Sequence, residues 1–323
     1  MASTEEHHTD SKLTFSQIQQ GIREATLRIV PRAISHCCQN AYLHLERAWV
    51  LLGLDAEMSA FRSITAEEES ATALILALKH RRYPGANRLN HRNHSHKAAF
   101  TPLVDGIQKA LSTLDQLGKP TAFLNKESNP PSIKVQIDVS GLFGEPAFAQ
   151  PDEPLNFLLS HAAITDTGVE KAAKPHLFET ELNELAKSSG KGTILDHIQT
   201  EANFRNELLY AKVDGIPQIK LKKGFILERL RRVTLLHSLT IIILQTPKQQ
   251  LFAIQCLESL LKALDRQPSD PFLYPTECAS QEFGVEVTLR LDQEPVIRYS
   301  RNGIFQEEDQ GTVTPIFVTL DDE

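Results

Sequence analysis

From Phe15 to Leu78 apolar residues recur every three or four positions with little interruption. That period puts them on one side of a helix, so this part of the chain must form helices that bury a stripe against one another. Phe15, Ile18, Ile22, Ala25 and Ile29 mark the first, which Pro31 ends. Ile34, Cys37, Cys38, Ala41, Leu45, Ala48, Trp49 and Leu52 share a face of the second, with Gly53 and Asp55 at the corner that follows. Met58, Phe61, Ile64, Ala71, Leu74, Ile75 and Leu78 carry the third. Pro84 and Gly85 break the chain, and the period resumes over residues 87–114, with Pro102 kinking that segment or lying in its first turn. The expectation is an antiparallel four-helix bundle over residues 13–117, preceded by a disordered tail at 1–12.

After a Pro-rich linker at 118–132 the period changes. Ile133, Val135, Ile137 and Val139 alternate with polar residues, as in a half-buried strand. Residues 155–163, 176–187, 194–211, 225–244 and 248–265 read as helices, and 216–221, 285–291, 296–299 and 313–320 as strands. The fold class expected is mainly α (α+β): an N-terminal bundle followed, over 133–323, by a mixed module of helices and a small antiparallel sheet.

A net charge of -7 excludes a protein coated in positive charge, though not a local basic patch. No C-x-x-C pairs the four cysteines, and no secretory leader is visible, so reduced thiols in the cytoplasm are expected. The most apolar run, residues 233–244, contains His237 and is too short to span a bilayer, so no membrane association is expected. No Gly-rich phosphate loop, nucleophile elbow or H-E-x-x-H is present, and no cofactor is implied.

Chemistry concentrates in residues 79–97, which hold six Lys or Arg, four His and no acid. Three uses compete. A metal site would draw on His91, His94 and His96, but their spacing aligns only the first two on a helix, no Cys or Asp completes the set, and the arginines repel a dication. Metal-independent RNA cleavage would use His94 to take a ribose 2′-OH proton and Arg88 to stabilise the charged phosphate, with five residues between the two. The third use is a solvated helix end that binds phosphate, a partner or nothing. The adjacent Glu67, Glu68 and Glu69 point in different directions round helix three. They form a solvated face, or else Glu68 or Glu69 turns inward to pair with the basic cluster.

The runs ISHCCQNAYLHLERAWVLL, AEEESATALILALK and RNHSHK resemble the abortive-infection V (AbiV) family of bacterial phage-resistance proteins, grouped with the HEPN helical bundles. The likeness covers roughly residues 13–115. It implies a HEPN-like four-helix bundle, a homodimer, and phage defence through an Arg-x(4–6)-His ribonuclease motif, which Arg88 and His94 match in spacing. Ser70, Ala71 and Thr72 stand where the family has Gly-Lys, and Leu89 follows the arginine where a polar residue is usual. His91, Arg92, His96 and Lys97 would support RNA binding. A second basic run, Lys220, Lys222, Lys223, Arg229, Arg231 and Arg232 against the single acid Glu228, could track a phosphate backbone if it shares a surface with the first. The rival expectation is a non-catalytic defence sensor or assembly subunit, with a protein partner docking on the C-terminal module.

Overall fold

The computed structural model describes residues 12–112, 120–138, 140, 148–151, 153–161, 174–210, 215, 218–267, 285–290 and 293–299. The fold is mainly helical with a small three-stranded antiparallel sheet, the expected class. Helices α1 (Gln17–Ile29), α2 (Arg32–Leu51) and α3 (Ala56–His80) form in the order the apolar period dictates. Ser16 opens α1 with a reciprocal capping box, and Asp55 caps α3 by accepting from Met58 N at 2.8 Å.

The expected fourth helix is divided. A 3-10 turn at Ala86–Arg88 leads to α4 (His94–Ala98), and α5 (Phe100–Ser112) follows. Pro102 sits in the first turn of α5, where its missing N–H costs nothing. Asn93 caps α4 through its side chain, which interrupts any helix running in from residue 87. The long helix that packs along α3 comes instead from far down the chain. Helix α8 (Lys223–Gln245) lies against α1, α2 and above all α3. Its residues Ile226, Leu230 and Val233 join Tyr42, Leu45 and Ala66 in one apolar cluster. The bundle is thus completed by a segment that sequence analysis assigned to the C-terminal module.

Helix α3 is buried over most of its surface, which explains its composition. Ala60, Ala66, Ala71, Ala73 and Ala77 let neighbours approach closely. The hydroxyls of Ser63, Thr65, Ser70 and Thr72 are satisfied by donating to the carbonyl four residues earlier. The helix closes with Arg82 in the left-handed region, Tyr83 N donating to Leu78 O at 3.0 Å and Arg82 N to Lys79 O at 3.0 Å.

Strands β1 (Thr121–Asn125), β2 (Ser132–Asp138) and β3 (Phe148–Ala149) make the antiparallel sheet in that order. A second sheet runs β5 (Lys174–Pro175), β4 (Leu158–His161), β6 (Val285–Arg290), β7 (Gln293–Tyr299), with β4 and β6 parallel. The segment read as a helix at 155–163 therefore contains a strand. Leu155, Phe157 and Leu159 are the buried positions, a period of two that overrides the apolar content. Residues 218–221 hold no strand, and the strand expected at 313–320 lies outside the described residues.

Helices α6 (Glu179–Ser188), α7 (Ile194–Glu207) and α9 (Leu251–Ala263) complete the set. Gly106 on α5 admits α6, because a Cβ there would stand 3.1 Å from Leu182 Cδ2. Three glutamines, at the last residue of α8, the N-cap of α9 and the second turn of α9, fasten strand and loop backbone to the helices. Gln245 exchanges two hydrogen bonds with Ile133, and Gln250 accepts from Leu155 N at 2.7 Å. Gln255 accepts from Leu159 N at 3.1 Å and donates to the carbonyls of Leu159 and His176 at 2.6 and 2.7 Å.

Candidate functional site

Helix α3 places two adjacent carboxylates inside the molecule, Glu67 and Glu68, each 7% exposed. Buried carboxylates must be paired or protonated. Adjacent helix positions diverge by about 100°, and the two side chains leave α3 toward different neighbours.

Glu68 turns to α4 and α7. Its Oε1 accepts from His94 Nδ1 at 2.8 Å, and its Oε2 from Lys97 Nζ at 2.9 Å and Arg205 Nη1 at 3.2 Å. Lys97 and Arg205 side chains keep 11% and 21% of their exposure, whereas His94 keeps 42%. The imidazole is thus gripped on one edge and open on the other. A neutral imidazole that donates Nδ1–H to the carboxylate has its lone pair on Nε2. Arg205 Nη1 lies 3.4 Å from that nitrogen, and its guanidinium stacks 4.6 Å over the Phe61 ring. The inward turn of Glu68, one of the two uses weighed for the glutamate run, is the one found.

Glu67 turns to α5 and α8. Thr101 donates to Oε1 and Arg229 to Oε2, with Arg232 at 3.9 Å. Burial alone would raise its pKa, but Arg229 and Arg232 outweigh this and hold the carboxyl below the usual range. Nearby on α5, burial pushes Asp105 up against the opposing pull of Arg232.

The remaining expected residues fall in several places. Arg88 is exposed and donates to the carbonyls of Arg266 and Gln267, at 3.5 and 3.1 Å, beyond the C-terminus of α9. None of its contacts is shared with His94, and the cation beside His94 is Arg205. His96 is 6% exposed, and its Nδ1 accepts from Asn90 N at 2.9 Å; burial, then Arg266 and Lys79, lower its pKa. That imidazole holds the 90–96 turn. His91 is also lowered, by desolvation and then Lys79, Arg92 and Lys97. Arg92 is exposed, as are Lys220, Lys222 and Lys223, the last with its Nζ 5.7 Å over the Trp49 ring. Arg231 and Arg232 pair with Glu228, at 3.7 and 3.0 Å. Both basic runs thus send residues to the neighbouring carboxylates of α3: His94 and Lys97 to one, Arg229 and Arg232 to the other.

Arg205 carried no signal in sequence, because it lies 111 residues from His94 on a helix of ordinary amphipathic pattern. His44 and Arg62 were likewise unmarked. Arg62 Nη1 lies 3.5 Å from His44 Nδ1, and the His44 pKa is lowered by burial, then by Arg62, Arg47 and Arg205.

Among the described residues, no group of three or more His, Cys, Asp or Glu could hold a metal ion, and no helix is long and apolar enough to cross a membrane. What the Glu68 cluster offers is a carboxylate-oriented imidazole, half open, with two cations at its side. That arrangement can move a proton next to a bound anion. Comparisons with protein-family models, curated proteins and solved structures return no match.

Proposed function

We propose that this chain acts on RNA as a metal-independent ribonuclease of HEPN type, in a bacterial phage-defence role of the abortive-infection kind. His94 is the proton acceptor, Glu68 orients it, and Arg205 with Lys97 steadies the phosphate. The observation that carries the reading is the half-exposed His94 with Nδ1 held 2.8 Å from a buried carboxylate. Its Nε2, once the Arg205 guanidinium turns to the phosphate, takes the ribose 2′-OH proton, the O2′–P bond forms, the P–O5′ bond breaks, and the leaving oxygen regains a proton from solvent. Arg205 replaces Arg88 as the stabilising cation. The AbiV resemblance supports the defence role and implies a homodimer.

A second reading is a non-catalytic defence sensor or assembly subunit that binds a protein or nucleic acid. It is favoured by the fact that Lys97 and Arg205 are both engaged by the single carboxylate of Glu68, and that Arg88 is spent on carbonyls.

Purified protein incubated with total cellular RNA in EDTA separates the two. Cleavage is expected from the wild type and from Arg88→Ala, and not from His94→Gln. An inert wild type, or equal cleavage by His94→Gln, overturns the enzyme reading.

A further inference from the structure

Beside His94 the molecule gathers more positive charge than it balances. Arg47 and His44 come from α2, Arg62 from α3 and Arg205 from α7. Among the described residues, Arg47 and Arg62 have no carboxylate within ion-pair distance. Among the described residues, the carboxylate paired with Arg205 is Glu68, which is shared with Lys97 and His94. Burial, and then charges that are all positive, lower the pKa of the His44 imidazole. The Nε atoms of Arg62 and Arg205 are both buried without a hydrogen-bond partner.

Each of these facts is costly in an isolated protein. Like charges crowded into a partly desolvated region repel, and a buried N–H without an acceptor loses its hydration for nothing. Structural arginines avoid this by pairing with carboxylates or carbonyls, as Arg229 and Arg88 do here. Arg62 does neither. Among the described residues its guanidinium meets a ring nitrogen at 3.5 Å. A cation cluster left open on this side matches an anion with several acceptor oxygens. A guanidinium fork meets a phosphate with two parallel N–H donors, and a neutral imidazole adds a third.

We propose that His44, Arg62 and Arg205 form a phosphate-binding subsite next to His94, which takes one phosphate group of a single-stranded RNA. Its identification with RNA rests on the ribonuclease reading above. The subsite itself rests only on the unbalanced cations. Arg205 is common to the subsite and the His94 cluster, so a phosphate held by Arg62 and His44 also sits against the catalytic edge.

The test is binding of a fluorescently labelled, fully 2′-O-methylated RNA 12-mer, which lacks the attacking hydroxyl and so separates binding from cleavage. Wild type, Arg62→Met and Arg88→Ala are titrated as the whole 323-residue chain, and thermal midpoints are recorded with and without inorganic phosphate. Arg62→Met is expected to bind at least about tenfold more weakly, with the dependence on log salt shallower by about one unit. Arg88→Ala, whose guanidinium is engaged by the carbonyls of Arg266 and Gln267, keeps binding within a few-fold. Without ligand, Arg62→Met holds or raises the wild-type midpoint, because a repelling charge has gone. A structural arginine would lower it. If phosphate alone raises the wild-type midpoint and not that of Arg62→Met, the subsite is one for the phosphate group itself, and the oligonucleotide titration shows whether RNA supplies it. Equal oligonucleotide binding by wild type and Arg62→Met, or a destabilised Arg62→Met, overturns the subsite and leaves the cleavage reading standing. Loss of binding in Arg62→Met alongside an inert wild type in the cleavage assay supports the subsite and overturns the ribonuclease.

Discussion

Replacing Glu68 by Gln removes one negative charge and little else, since the amide keeps the shape and an acceptor oxygen. The structure sets the size of the effect. At 2.9 and 3.2 Å and an effective dielectric of about 20, Lys97 and Arg205 each attract the carboxylate by roughly 5–6 kcal/mol before desolvation. Desolvation returns most of that, so the intact cluster contributes little net stability. The variant, however, still buries the two cations and now lacks their counter-charge. A broken buried pair costs about 3–5 kcal/mol, and the low end applies because Arg205 remains 21% exposed. The expected loss is therefore about 3 kcal/mol in urea unfolding at neutral pH. For a chain of 323 residues that lowers the thermal midpoint by roughly 5 °C. Lys97→Met in the Glu68→Gln background should recover part of the loss, with a coupling of about 1–3 kcal/mol across the double-mutant cycle. A single-variant loss below about 1 kcal/mol, or zero coupling with Lys97, refutes the argument that α3 is held by this ionic cluster.

His237 is fully buried with its pKa lowered to about 3 by desolvation, and its Nε2 donates to Ser70 Oγ at 2.9 Å. Between about 6.5 and 3 only the unfolded chain takes that proton, so the stability it protects is complete above pH 6.5 and falls by up to ~1.4 kcal/mol per pH unit below it. His237→Leu should flatten the stability profile between pH 6 and 4, and an unchanged slope in denaturant titrations contradicts this. Gln255→Leu strands the N–H of Leu159 and the carbonyl of His176, while the Leu159 carbonyl keeps the His176 N–H; it should cost on the order of 3 kcal/mol by urea unfolding, and a loss under 1 kcal/mol means the amide is dispensable. Burial, then Glu69, pushes the Cys37 thiol up to about 11, and burial, then Cys37, pushes Cys38 up to about 12. Both should alkylate far more slowly in the native protein than in urea at pH 7.5, as read by peptide mass spectrometry; similar rates would mean that neither thiol is shielded.

The helices of the N-terminal part were legible because their signal is local: α1, α2 and α3 each carry an uninterrupted apolar stripe. So was the crowding of basic residues without an acid around His94, two of which, His94 and Lys97, the structure sets against Glu68. What lay beyond reach was long-range pairing. That α8 completes the bundle depends on Ile226, Leu230 and Val233 meeting Tyr42 and Leu45, and nothing local announces it. The arginine that reaches His94 could have been any of several, and nearness in sequence favoured Arg88 over Arg205. The run from Lys220 to Arg232 reads as a solvated basic face, yet Arg229 points inward because a buried carboxylate waits for it. The strand at Leu158–His161 was missed for a different reason. Its period of two was present at Leu155, Phe157 and Leu159, but a short apolar run fits helix and strand alike.

The glutamine clamps on Ile133, Leu155 and Leu159 give the molecule two kinds of joint. The amide joints carry no charge, so neither acid nor salt alters their strength. The joints around Glu67 and Glu68 are made of ions, and their partly exposed members weaken as salt screens them. Raising ionic strength therefore loosens the packing of α4 and α7 on α3 while the strands stay fastened to α8 and α9. A polyanion arriving at the same cations would do locally what salt does everywhere, and the helices it frees would be those bearing His94 and Arg205.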